Sequence, residues 1–80
     1  MPKVTDGELL NILATHPDPA FTSTELADML PISQQAVYKR LERFEREGLV
    51  DRKKVAAHAT VWWLTEEGKR RLHEIQRGGG

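Results

Sequence analysis

The feature that most constrains this chain is a change of period at Gly48. Before it, in "SQQAVYKRLERFERE" (residues 33–47), an apolar residue recurs every three or four places. After it, in "LVDRKKVAAHATVWWLT" (residues 49–65), β-formers gather as Val50, Val55 and Val61 to Leu64. A helix must therefore end at the glycine and a hairpin follow. At about 100° per residue, Val37, Leu41 and Phe44 fall in one narrow sector of the helix, which faces the core. Gln35, Lys39, Glu42, Arg43 and Arg46 lie opposite, Gln34 and Tyr38 on one flank, and Arg40 near the other border. Ser33 is placed to cap the first turn, and Gly48 to end the helix in the left-handed region.

The flanking segments carry their own punctuation. Thr5-Asp6-Gly7-Glu8 and Thr22-Ser23-Thr24-Glu25 both have the spacing of a capping box. The first opens a helix over about residues 6–16, with Leu9, Ile12 and Leu13 on its inner face, stopped by Pro17 and Pro19. The second opens a short helix burying Leu26, Ala27 and Leu30, stopped by Pro31. The hairpin turns near Ala56 to Ala59. Thr65 caps a last helix reaching about Arg77, with Leu72 and Ile75 inward. The expected fold is mainly α with one small β hairpin (an α+β class), in the order α-α-α-β-β-α. Residues 1–77 form one domain and 78–80 a flexible glycine tail.

Eighty residues leave no room for two cores. The net charge of zero argues against a polybasic coat protein, but it hides a gradient. Residues 1–33 hold one cation and five acids; residues 34–56 hold seven cations and four acids. Cysteine is absent, which removes disulfides, thiolate metal sites and thiol catalysis. No segment has signal-peptide character or the ~20 apolar residues of a membrane span, so a soluble cytoplasmic protein without membrane contact is expected. His16, His58 and His73 lie on separate elements without metal-ligand spacing, and no phosphate loop or nucleophile motif is present. The sequence points to no enzyme, no cofactor, no metal and no small-molecule ligand.

The polar side of the third helix is ordered: amides first, cations behind. Amide side chains match adenine in the DNA major groove, and lysine or arginine match guanine. Base-reading groups belong near the start of a recognition helix, while later cations meet phosphates. Arg46 falls in that later group, and the Ser33 hydroxyl at the helix start also suits a phosphate. A solvated helix laced with ion pairs accounts for the same face, because Glu42, Glu45 and Glu47 alternate with Arg43 and Arg46.

Context favours the first account. A short helix, the tight "LPIS" turn, the helix and the hairpin make a helix-turn-helix with a wing. The stretches "STELADMLPISQQAVYKRLERFEREGLVDR" and "WWLTEEGKRRL" resemble the winged helix-turn-helix regulators of bacteria and archaea, above all the MarR-like group. The likeness spans about residues 21–72 and includes the glycine-leucine-valine exit into the wing and the leucine-threonine-x-x-glycine step out of it. It implies sequence-specific binding of double-stranded DNA by a transcription regulator. Gln34, Gln35, Tyr38 and Lys39 would be its major-groove residues, and Arg43 a contact to the DNA backbone. Two departures stand out. Pro31 occupies a turn position where many relatives have glycine, so this turn must be built without a positive φ. The wing tip "VAAHAT" is poor in cations, whereas Arg52, Lys53 and Lys54 sit at the wing base, where they are expected to touch phosphates.

Trp62 and Trp63 must point to opposite sides of their strand. Trp62 shares a face with Leu64 and belongs to the core, which leaves Trp63 outside. Trp63, Leu72 and Ile75 then offer a symmetric homodimer interface, as the last helix often does in the family resembled; packing within one chain is the alternative. The plain wing, the neutral charge and Trp63 also fit a second function, a winged-helix protein-interaction module without DNA binding.

Overall fold

The computed structural model describes residues 4–78. The order is α1 (Asp6–Thr15), α2 (Ser23–Met29), α3 (Gln34–Arg46), β1 (Val50–Ala56), β2 (Ala59–Leu64) and α4 (Glu66–Gly78). The fold is a helix-turn-helix followed by an antiparallel wing and a closing helix, in the expected order. The last helix takes in Gly78, the first residue of the expected tail; Gly79 and Gly80 lie outside the described residues.

Caps fix the helix starts. The α2 box is complete: Glu25 N donates to Thr22 Oγ1 at 3.1 Å, and Thr22 N donates to Glu25 Oε1 at 2.9 Å. The α1 box is half made. Glu8 N donates to Thr5 Oγ1 at 3.1 Å, but the Glu8 carboxylate takes the Thr5 hydroxyl instead of its backbone amide. Ser33 Oγ accepts from Ala36 N at 3.1 Å and starts α3. The turn before α3 needs no glycine. Leu30 leaves α2 in an extended conformation (φ −124°, ψ 150°), so Pro31 follows without strain.

The end of α3 is a Schellman motif. Gly48 has φ 79°, its N–H donates to Glu45 O at 3.0 Å, and Leu49 N donates to Phe44 O at 2.8 Å. Leu49 and Phe44 are both buried, the apolar contact this motif often carries. The wing exit is welded to the same point. Thr65 N donates to Leu49 O at 3.0 Å, the Thr65 hydroxyl donates to Gly48 O at 2.6 Å, and Thr65 Oγ1 accepts from Gly68 N at 3.0 Å. A Cβ on Gly68 would stand 2.1 Å from Leu49 O, so α4 can cross the wing base this closely only with glycine there. The leucine-threonine-x-x-glycine step is thus a cap and a backbone crossing in five residues.

In the wing, Val50 pairs with Leu64 and Arg52 with Trp62, and the ladder is irregular between Lys54 and Ala56. Beyond β2, Phe21 bridges Trp62 through two backbone hydrogen bonds of 2.8 and 3.0 Å, giving the sheet a third member one residue long. A single residue beside Pro19 carries no alternation to detect. The core gathers Leu9, Leu10 and Leu13 of α1, Leu26 of α2, Val37, Leu41 and Phe44 of α3, with Phe21, Leu49, Val50, Trp62 and Leu72. Leu10 is fully buried while Ile12 is only partly so, contrary to the expected inner face. The reason is that α1 packs against both α4 and β2, which widens its apolar arc. No helix among the described residues is long and apolar enough to cross a membrane.

Candidate nucleic-acid interface

The α3 wheel divides as its sequence implies. Val37, Leu41 and Phe44 are fully buried. On the other side Gln34, Gln35 and Lys39 are exposed and, with Tyr38 and Glu42, line a shallow open depression. Tyr38 keeps 37% of its surface in solvent, and Arg46 continues the exposed side toward the helix end. The four residues expected at base edges therefore form one surface, which nothing among the described residues covers.

The wing holds one flank of α3. Strand register puts Arg52 beside Trp62 on the face that meets the helix. The Arg52 guanidinium sits 5.2 Å from the centre of the Trp62 ring, donates to the Tyr38 hydroxyl at 3.1 Å, and pairs with Glu45 at 3.2 Å. The Tyr38 ring meets the Trp62 ring edge-on, with centroids 5.6 Å apart. This cluster fixes the angle at which Tyr38 leaves the helix. Near α2, Gln34 Nε2 approaches Ser23 Oγ at 3.5 Å, the long limit of a hydrogen bond.

Helix α1 holds the other flank. Asp6 accepts from Arg40 Nη2 at 2.8 Å and from Arg43 at 2.6 and 3.2 Å, while Arg40 Nη1 donates to Val4 O at 2.7 Å. The hydrogen bond from Arg43 holds the Asp6 carboxyl below the usual aspartate range; Arg40 adds to this and partial burial opposes it. Arg43 also reaches Glu47 at 3.5 Å. Sequence reasoning missed Asp6, because its partners stand 34 and 37 residues away and no local spacing announces them.

Several expected phosphate and interface residues need correcting. Arg43 is bound to Asp6 on the α1 flank, so its charge is already partnered. Arg52 and Lys54 lie on the wing face toward α3, near Tyr38 and Glu45, but strand alternation turns Lys53 to the other face. The wing-base cations are thus not one cluster. Ser33 is exposed and already caps α3. Leu72 is only 8% exposed and belongs to the monomer core, which leaves little of it for a partner. Ile75 is 36% exposed. Trp63, expected outside, is half-buried and lines a groove with Leu13, Pro17, Pro19 and Lys69. Among the described residues no group of three His, Asp or Glu side chains could hold a metal ion.

No curated protein matches this sequence. Solved structures do. The YusO protein of Bacillus subtilis superposes with a TM-score of 0.79 at 23% identity, over 91% of this chain and 52% of its own. A MepR-like protein gives 0.77 at 26% identity, covering 90% of this chain and 51% of the other. The adhesin competence repressor AdcR of Streptococcus pyogenes gives 0.74 at 29% identity, over 95% and 56%. The chain spans about half the length of the solved structures it resembles most. The sequence profile of the MarR family matches residues 3–59, from the start of α1 to the wing tip, and with this match the chain is shown to belong to the MarR family.

Proposed function

We propose that this chain is the DNA-reading part of a cytoplasmic transcription regulator, and that it binds double-stranded DNA sequence-specifically by laying α3 in the major groove. The observation that carries the reading is the bare centre of α3, where amides and unpaired cations stand exposed while the charges on both flanks are tied up within the fold. Membership of the MarR family and the likeness to a repressor support it. Gln34, Gln35, Tyr38 and Lys39 would meet base edges. Ser33 at the helix start, Arg46 at its far end, and Arg52 and Lys54 on the wing would meet phosphates. Lys53 would reach only a phosphate beyond the wing, and Arg43 would join them by letting go of Asp6. A homodimer would set two copies of α3 about 34 Å apart on a two-fold site, with Ile75 and Trp63 as the exposed apolar surface available to it.

Selection from a random duplex pool tests the reading. We expect enriched sites with two-fold symmetry and an affinity that falls with salt, each phosphate contact adding about 0.9 to the slope of log K against log salt. Gln35→Ala should erode preference at one position, and Arg46→Ala should weaken all sequences alike. A pool without enrichment, together with capture of a protein partner, would replace this reading by the protein-interaction module.

A further inference from the structure

The charges of α3 divide into two sets. Arg40 and Arg43 are held by Asp6, Glu45 by Arg52, and Glu47 by Arg43 and Arg71. Among the described residues no ion pair reaches Lys39, Glu42 or Arg46. At about 100° per residue these three share one stripe with Gln35, at the centre of the exposed face. Two cations on that stripe suit a polyanion. A carboxylate does not, and Glu42 forms no ion pair with Lys39 three residues before it or Arg46 four residues after. It lines the same depression as Gln34, Gln35, Tyr38 and Lys39.

We propose that Glu42 is a specificity-determining residue that accepts a hydrogen bond from the exocyclic amino group of a cytosine in the major groove. This rests on the reading that α3 enters that groove. Beside a phosphate, an unpaired carboxylate is repelled. Against base edges it is repelled by the acceptors of guanine and thymine, and adenine sets an acceptor next to its donor. Cytosine alone offers a donor without a neighbouring acceptor. Glu42 lies seven residues beyond Gln35, about 10 Å along the helix, so the cytosine should fall about three base pairs from the base that Gln35 reads.

The test is selection from a random duplex pool with the 80-residue chain and with Glu42→Gln, whose fold is checked by circular dichroism. Wild type should enrich cytosine at one position about tenfold over the other bases, the size expected of one good base contact. Glu42→Gln should lose that preference, shift it toward adenine, and leave the other positions of the profile unchanged. Glu42→Gln binding every duplex more tightly by one factor, with an unchanged profile, would overturn the proposal and reduce Glu42 to a general repellent of DNA. A wild-type profile that Gln35→Ala and Glu42→Gln both leave intact would overturn the groove reading itself. A profile altered by Gln35→Ala alone would overturn only the role of Glu42.

Discussion

The two flanks of α3 are secured by different physics. On the wing side the anchor is apolar: the fully buried Trp62 carries Tyr38 on its edge and Arg52 over its face. On the α1 side it is ionic: one half-exposed carboxylate, Asp6, gathers Arg40 and Arg43. The wing flank therefore depends on burial, which salt and pH barely touch. The α1 flank depends on charge in contact with water, which both can weaken. The difference has a consequence for recognition. Tyr38, at the base-reading surface, leans on the rigid flank, whereas Arg43, expected at a phosphate, hangs on the adjustable one.

The largest expected effect comes from removing the apolar anchor. Trp62→Ala should cost about 3–5 kcal/mol, the range for a large aromatic cut from a core. A small domain has only about 5–15 kcal/mol in total, so much of the protein should be unfolded at 37 °C. Urea denaturation followed by circular dichroism measures this. A loss under about 1 kcal/mol would break the comparison, since the wing flank would then be no firmer than the ionic one.

A smaller and more diagnostic pair is Asp6→Asn against Arg52→Ala. Half-exposed ion pairs contribute about 0.2–1 kcal/mol, and Arg40 keeps its bond to the Val4 carbonyl, so Asp6→Asn should cost about 1 kcal/mol or less. Arg52→Ala should cost a similar amount, partly through lost stacking on Trp62. Salt separates them. At about 1 M salt the Debye length falls to about 3 Å, so the Asp6→Asn deficit should shrink while the stacking part of the Arg52→Ala deficit remains. The flanks share no ion-pair partner, so the double variant should be additive within about 0.5 kcal/mol. Asp6→Asn also frees Arg43 and should raise non-specific affinity for DNA, a gain that Arg52→Ala should not show.

The contrast between the flanks also marks what the sequence disclosed. Everything that follows from local spacing was legible: the caps at Thr22 and Ser33, the left-handed Gly48, the buried Val37, Leu41 and Phe44, and the opposite directions of Trp62 and Trp63. The bare stripe of α3 was legible for the same reason, because a helix wheel needs only the period. The Asp6 clamp, the Phe21 bridge and the two-sided packing of α1 were not. Each depends on segments brought together from far along the chain, and the residues involved look ordinary where they stand. Lys53 is an intermediate case. Its position on the wing was plain, but its face depended on which strand neighbour met α3. The same holds for Leu72, whose apolar character was evident but whose partner, core or second copy, was not.

The smallest expected effect is also the most specific to the ionic flank. The native Asp6 carboxyl titrates below its ordinary value because Arg43 and Arg40 hold its charged form, so the native state resists protonation more than the unfolded chain does. Above the unfolded value of about 3.9, both states carry the charge and the stabilising contribution is fully present. As pH falls below that value the unfolded chain takes up the proton first, and the contribution drains away until the native carboxyl is protonated too. Asp6→Asn has no such group. The stability difference between wild type and Asp6→Asn should therefore be flat from about pH 7 to pH 5 and close progressively below about pH 4. Its full size is a fraction of a kcal/mol to about 1 kcal/mol, since Asp6 remains 44% exposed. Arg52→Ala leaves Asp6 in place and should keep this acid-dependent part. Urea midpoints measured at several pH values between 3 and 7 decide the matter. A gap between wild type and Asp6→Asn that persists unchanged into acid would mean that the α1 flank is held by packing after all, and the distinction between the two sides of α3 would fall.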